Sequence, residues 1–191
     1  MRKLQQSGFT LTELMLAMAV FSMVLTLCLS IFVQINRLYY RGLTITQAQE
    51  ASRSIVSDMS TLLRSGTYKN GNTLAGGGTY FCIDDRIYSV RTGIRAKDAP
   101  GVKVLATWTD AFTCLNTPAG VSVPAGSNSL ISEEVSIHGF TVTQGSIDMT
   151  VGVGAITEFE NPGTPVASCR PGSSQFCGVS RLSATVIRRT K

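Results

Sequence analysis

The sequence predicts an α+β protein in which one long N-terminal helix packs on a mostly antiparallel β-sheet. Three observations carry this. An uncharged apolar run over residues 14–33 passes directly into a segment with helical hydrophobic period. Near Gly66 the composition turns abruptly to short strand-like stretches separated by Gly, Pro, Asn and Asp. Four of the five cysteines, Cys82, Cys114, Cys169 and Cys177, lie in that second part.

The helix comes first. Twenty residues from Leu14 to Val33 carry no charge. At about 1.5 Å per residue they span roughly 30 Å, the thickness of a hydrocarbon core. Ser22, Thr26 and Ser30 make only a faint polar stripe, too little for the solvent face of a soluble helix. A secretory signal peptide would be shorter and would end in a small-residue cleavage site. Here Gln34-Ile35-Asn36-Arg37-Leu38 follows the run, and the small pair Ser7-Gly8 precedes it. Flanking charge is nearly balanced, Arg2 and Lys3 before against Arg37 and Arg41 after, so it sets topology weakly. Tyr39-Tyr40 fits an interfacial aromatic belt.

Beyond the apolar run, Leu38, Ile45, Ala48, Ile55, Met59 and Leu62 recur on one helical face, with Gln47, Gln49, Glu50, Arg53 and Asp58 between them. Gly42 is a soft point. The helix is expected to run over residues 10–64 and to stop at Ser65-Gly66, with Gly66 as a left-handed cap. Residues 71–78, with Gly76-Gly77-Gly78, read as a turn-rich loop. Strands follow at residues 79–83 and 86–90, a hairpin around Asp84-Asp85, and then at 102–108, 130–143, 147–153 and 182–188. Asn161-Pro162-Gly163-Thr164-Pro165 and the stretch between Cys169 and Cys177 read as loops. No internal repeat and no second globular domain is visible.

Four cysteines allow three pairings, and sequence does not choose among them. The arrangement expected here is Cys169 with Cys177, closing a short loop, and Cys82 with Cys114, bridging two strands. Such pairing would place the domain outside the cytoplasm. Cys28 lies in the apolar run as a small hydrophobe. No CxxC pair occurs and His138 is the sole histidine, so no metal site is expected. No catalytic set and no cofactor motif is present: Asp84-Asp85 and Glu133-Glu134 are sequence neighbours that would point to opposite faces of a strand. Gly76-Gly77-Gly78 lacks the Lys and Ser/Thr of a phosphate loop. Trp108 reads as core or hairpin packing. The net charge is +5, two of it from Arg2 and Lys3, too mild and scattered for a dedicated nucleic-acid domain. Arg188, Arg189 and Lys191 form a basic tail read as a solvated end.

Gly8-Phe9-Thr10-Leu11-Thr12-Glu13, after the short basic leader MRKLQQSG and before the apolar run, resembles the type IV prepilin motif of pilins and pseudopilins. The resemblance is strong over about the first 35 residues. It implies a pilin-like fold. It further implies that a prepilin peptidase removes residues 1–8, cutting between Gly8 and Phe9, and that the new amine of Phe9 is methylated. Residues 9–36 would then form the transmembrane and filament-core half of the helix, residues 37–65 its amphipathic half, and residues 66–191 an extracytoplasmic domain. The implied partners are the peptidase, other pilin or pseudopilin subunits, an inner-membrane assembly platform and membrane lipid. In that family the acidic residue matching Glu13 faces the terminal amine of a neighbouring subunit. Physically, a carboxylate in hydrocarbon needs a partner, and cleavage creates a cationic amine one helical turn away. The simpler account is a helix N-terminal carboxylate favoured by the macrodipole and lying in the headgroups. Gly8 lets a protease approach the backbone closely. One departure is the absence of proline from the second half of the apolar segment, where Ser30 stands.

The resemblance implies a non-catalytic subunit that, after assembly, lies in a pilus at the cell surface. Residues 55–64 resemble the end of the long helix in minor pilins associated with priming. The expectation is a minor pilin of a type IV pilus. The alternatives are a pseudopilin of a type II secretion system, and a DNA-uptake or adhesive subunit for which DNA would be the ligand.

Overall fold

The computed structural model describes residues 10–187. The predicted helix is there as α1, Leu11–Ser65, unbroken through Gly42 and through the proline-free stretch around Ser30. By internal contacts the chain divides into two compact units, one ending at Tyr39 and one beginning at Tyr40. In the first unit the described helix is exposed at every residue but the half-buried Asn36 and is apolar and long enough to cross a membrane. The hydroxyls of Ser22, Thr26 and Ser30 donate to the carbonyls of Ala19, Met23 and Leu27, at 2.9, 2.9 and 2.8 Å. The faint polar stripe is therefore satisfied within the helix, as hydrocarbon requires.

The second unit packs the rest of α1 on antiparallel sheets, an α+β arrangement of the pilin-like kind. Strands β1 (Tyr68–Thr73), β2 (Thr79–Ile83), β3 (Arg86–Val90), β4 (Leu105–Thr109) and β5 (Asn128–Ser129) form a meander in chain order. Strands β6 (Val135–Val142), β7 (Ser146–Val153) and β10 (Gly178–Thr185) form a second sheet with β7 in the middle. Between them in sequence, β8 (Phe159–Glu160) pairs with β9 (Ser168–Cys169).

The buried face of α1 is Thr44, Ala48, Ser52, Ile55, Val56, Met59 and Leu63. The expected stripe is thus rotated and shortened. Leu38 is 71% exposed, Ile45 and Leu62 are half-buried, and two small polar residues have taken apolar positions. Ser52 can be buried because its hydroxyl bonds the Ala48 carbonyl at 2.7 Å. This face meets Phe81, Ile83, Tyr88 and Val90 of the first sheet and Ile137, Ile147, Met149 and Val151 of the second. Phe81 stacks on Tyr88 of its own sheet and on Phe140 of the other, with ring centroids 5.2 and 5.7 Å apart. The two sheets therefore share one core under the helix.

The first sheet is covered on both sides, which explains why β2 and β3 read as continuous apolar runs rather than alternating ones. Phe81 and Ile83 face α1; Tyr80, Cys82 and Ile87 face a second cluster with Leu74 and Cys114. That cover is the segment after β4, including the short helix α2 (Ala111–Asn116). Asp110 caps α2, its carboxylate accepting from the Phe112 and Thr113 amides and the Thr113 hydroxyl. Those hydrogen bonds, the Thr113 hydroxyl first, hold the Asp110 carboxyl below the usual carboxylate range.

Several sequence expectations are corrected. Gly66 ends the helix but is not left-handed. It is glycine because a Cβ there would lie 2.6 Å from an Asp84 carboxylate oxygen and 2.9 Å from the Leu62 carbonyl. Residues 71–73, expected in a loop, belong to β1, which carries a bulge opposite β2. Strand 102–108 begins at Leu105, and strand 130–143 is β6 alone, preceded by a turn. Strand 182–188 starts earlier, at Gly178, and Arg188 lies outside the described residues.

Candidate functional site

The helix start is where the sequence concentrates its functional signal. Thr10 and Glu13 form a reciprocal capping box. The Thr10 hydroxyl accepts from the Glu13 amide at 3.3 Å, while the Glu13 carboxylate accepts from the Thr10 amide at 3.0 Å and its hydroxyl at 2.8 Å. Glu13 thus has local partners before any subunit is added, and it sits where the helix dipole favours an anion. One of its oxygens, Oε2, takes both of these bonds. Gly8 and Phe9, the expected cleavage and methylation positions, lie outside the described residues, as does the leader.

Cys28 is a free, exposed thiol on the apolar half of α1. The other four cysteines form two disulfides, Cys82–Cys114 and Cys169–Cys177. The first does not bridge two strands: Cys82 is on β2 and Cys114 on α2, so the bond fastens the outer cover to the sheet. The second closes the loop between β9 and β10. Tyr40 meets the Phe176 ring of that loop, with centroids 5.6 Å apart.

The remaining sequence candidates resolve into structural roles. Asp84 occupies the β2–β3 turn with φ 53°, and its carboxylate accepts from the Thr67 amide at 2.8 Å, tying the turn to the helix exit. Glu134 pairs with Arg95 and Lys97, at 3.4 and 2.5 Å. Asp98 lies 2.7 Å from Arg95 and its carboxyl is held low by that hydrogen bond. Trp108 packs half-buried against the outer cluster. Among the described residues, no group of three or more His, Cys, Asp or Glu side chains is placed to hold a metal.

His138 is the residue whose setting sequence reasoning missed. It is fully buried on β6, beside the Phe159 ring with centroids 4.3 Å apart. Nδ1 accepts from the Gly163 amide at 3.1 Å, so the ring proton belongs on Nε2. Nε2 then donates to the Ser136 hydroxyl at 3.1 Å, which donates to the Gly152 carbonyl at 3.2 Å. A neutral imidazole satisfies both ring nitrogens and the Ser136 hydroxyl in this relay, and burial lowers the His138 pKa to about 4. No approach for a substrate exists at a residue this enclosed; the imidazole locks the loop at Gly163 onto the second sheet.

Compared with known proteins, residues 3–29 match the family model of the prokaryotic N-terminal methylation motif. The matched segment is type IV prepilin-like and covers the leader from Lys3 onward, the capping box and most of the apolar run. The chain thus carries a type IV prepilin-like N-terminal motif on a helix long and apolar enough to cross a membrane, with an α+β domain beyond it. Neither a curated protein nor a solved structure matches it.

Proposed function

We propose that this chain is a non-catalytic minor pilin subunit of a type IV pilus, held in the membrane by residues 9–36 and incorporated into, or priming, the filament through that helix. The observation that supports it best is the contrast within α1. Its first half carries the methylation motif and leaves every described side chain exposed or nearly so, while its second half is buried in a folded domain. A helix exposed in this way on an isolated chain needs an apolar environment, first lipid and then the helices of neighbouring subunits.

In this reading prepilin peptidase cuts between Gly8 and Phe9 and the Phe9 amine is methylated. Residues 66–191 lie outside the cytoplasm, where the two disulfides persist. Glu13 exchanges its bonds with Thr10 for the Phe9 amine of the adjacent subunit, and so fixes axial register as the helices bundle. The exchange is feasible because Thr10 offers neutral donors, whereas a cationic amine makes a stronger bond in a dry helix bundle. Assembly would require the assembly platform and other pilin subunits.

The mass of the N-terminal peptide from envelope-isolated protein tests this. The expected species begins at methylated Phe9. A chain that still begins at Met1 in cells with active peptidase would overturn the reading.

A further inference from the structure

The loop closed by Cys169–Cys177 lies against the beginning of the second unit, and the two segments share a charge pattern. From Leu14 to Gln49 the chain contains no Asp or Glu, and its charges there are Arg37 and Arg41. No Asp or Glu follows Glu160, whereas Arg170 and Arg181 do. The fold brings these two stretches together, and it also sets the exposed Glu160 of β8 directly across from Ser168 of β9. Arg41 and Ile45 of α1 line an open groove with Ser168, Cys177, Gly178 and Arg181.

The juxtaposition is firmly built. Gly178 is pressed on the helix so closely that a Cβ would lie 2.9 Å from the Ile45 nitrogen and 2.9 Å from the Thr44 carbonyl carbon. The disulfide next to it fixes the loop that carries Phe176. Phe176 contacts Tyr40 yet remains 50% exposed, and Leu43 nearby on the chain is 43% exposed. Arg170 and Arg181 each donate to a backbone carbonyl, those of Phe159 and Ala167, and both side chains are otherwise at the surface. The result is an aromatic pair beside a groove lined by Arg41 and Arg181, with Arg170 carried on the same disulfide-closed loop as Phe176.

Its place along the chain says what meets it. Tyr40 is seven residues past Val33, about 10 Å of helix beyond the apolar run, within side-chain reach of a headgroup layer. We infer that this face is a lipid-docking surface: the Cys169–Cys177 loop seats Phe176 beside Tyr40 in the interfacial layer of an anionic bilayer, with Arg41, Arg170 and Arg181 on the phosphates. Aromatic rings favour that layer, and clustered arginines next to a membrane span favour anionic lipid. The inference rests on the membrane anchoring of α1 and not on filament membership. It would orient the domain before any subunit contact forms.

The test uses the full chain reconstituted in vesicles. Trp108 is the single tryptophan, so Phe176→Trp adds one reporter at the loop. With a headgroup nitroxide lipid in vesicles containing phosphatidylglycerol, the added emission should be quenched at least two-fold more than Trp108 in the parent chain. Arg41→Gln with Arg170→Gln should at least halve that excess, as should pure phosphatidylcholine. Quenching equal to that of Trp108, or equal in both lipids, would overturn the inference. So would shielding of the reporter that follows protein-to-lipid ratio rather than labelled lipid, which would mean that a second copy covers the patch. If the tryptophan variant does not fold, amide exchange over residues 170–176 of the unaltered chain replaces it. Exchange at least five-fold slower with phosphatidylglycerol than with phosphatidylcholine is expected, and equal rates would refute the docking.

Discussion

The buried His138 should make the globular part acid-labile by a predictable amount. Its pKa falls from 6.5 to about 4 on folding because burial disfavours the imidazolium. The sign follows directly. Between these values the unfolded chain binds a proton that the folded chain refuses, so stability is full above pH 6.5 and is lost as pH falls toward 4. The two pKa values give a loss of about 2 kcal/mol between pH 7 and pH 5, and about 3 kcal/mol by pH 4. His138→Gln removes the titration while keeping polar atoms for the Gly163 amide and the Ser136 hydroxyl. It should cost about 1–3 kcal/mol at pH 7, from lost packing on Phe159 and less favourable hydrogen bonds. That penalty should shrink by about 2 kcal/mol at pH 5, because only the native chain pays to exclude the proton. The assay is denaturant unfolding of the full chain in micelles at both pH values, monitored by near-UV circular dichroism. Parallel losses in the two proteins, within about 0.5 kcal/mol, would refute the reasoning, because the error of the extrapolation is smaller than the effect sought.

Other outcomes follow from the same structure. Replacing Cys82 and Cys114 together by alanine should destabilise the domain by about 3–4 kcal/mol, and the Cys169/Cys177 pair by about 2–3 kcal/mol, since the former closes the longer loop; equal midpoints in denaturant would contradict this. Met59→Ala, at a fully buried position on α1, should cost about 2–5 kcal/mol in the same unfolding assay, while Leu38→Ala, 71% exposed, should leave the midpoint unchanged. Gly66→Ala should destabilise the protein measurably, through the clash with Asp84 and the Leu62 carbonyl, whereas Gly120→Asn, at a left-handed position with open space, should be mild. Under the proposed function, Glu13→Gln should be processed normally and stay in the membrane but reach sheared filaments at less than a tenth of the native level, as read by immunoblot; normal incorporation would remove the register role.

Local pattern carried much of the architecture. α1 was legible because an uncharged run followed by a stripe of period three to four needs no distant partner to be recognised. The β2–β3 hairpin was legible for the same reason: its strands are apolar, adjacent and joined by two aspartates. The methylation motif is likewise contiguous, and it matched over residues 3–29. β1 was missed because Tyr-Lys-Asn-Gly-Asn-Thr has little strand character; it becomes a strand at the edge of a sheet because β2 offers hydrogen bonds. α2 was missed because six residues cannot sustain a helix alone. It exists through the Asp110 cap and a disulfide to a residue 32 positions away.

The sequence by itself determined that there is one membrane-length helix, where it starts, and that a strand-rich domain follows it. Those properties depend on composition and short-range period, which a linear chain displays directly. Only the tertiary structure decided which face of α1 is buried, since Thr44 and Ser52 enter the core through close backbone approach and local hydrogen bonds rather than hydrophobicity. It alone gave His138 a neutral tautomer, because Gly163 and Gly152 reach it from separate parts of the chain. It also gathered Arg41 and Arg181 along one groove and set Phe176 against Tyr40. Charges and rings scattered across 140 residues have a shared electrostatic and interfacial effect only once folding sets their distances.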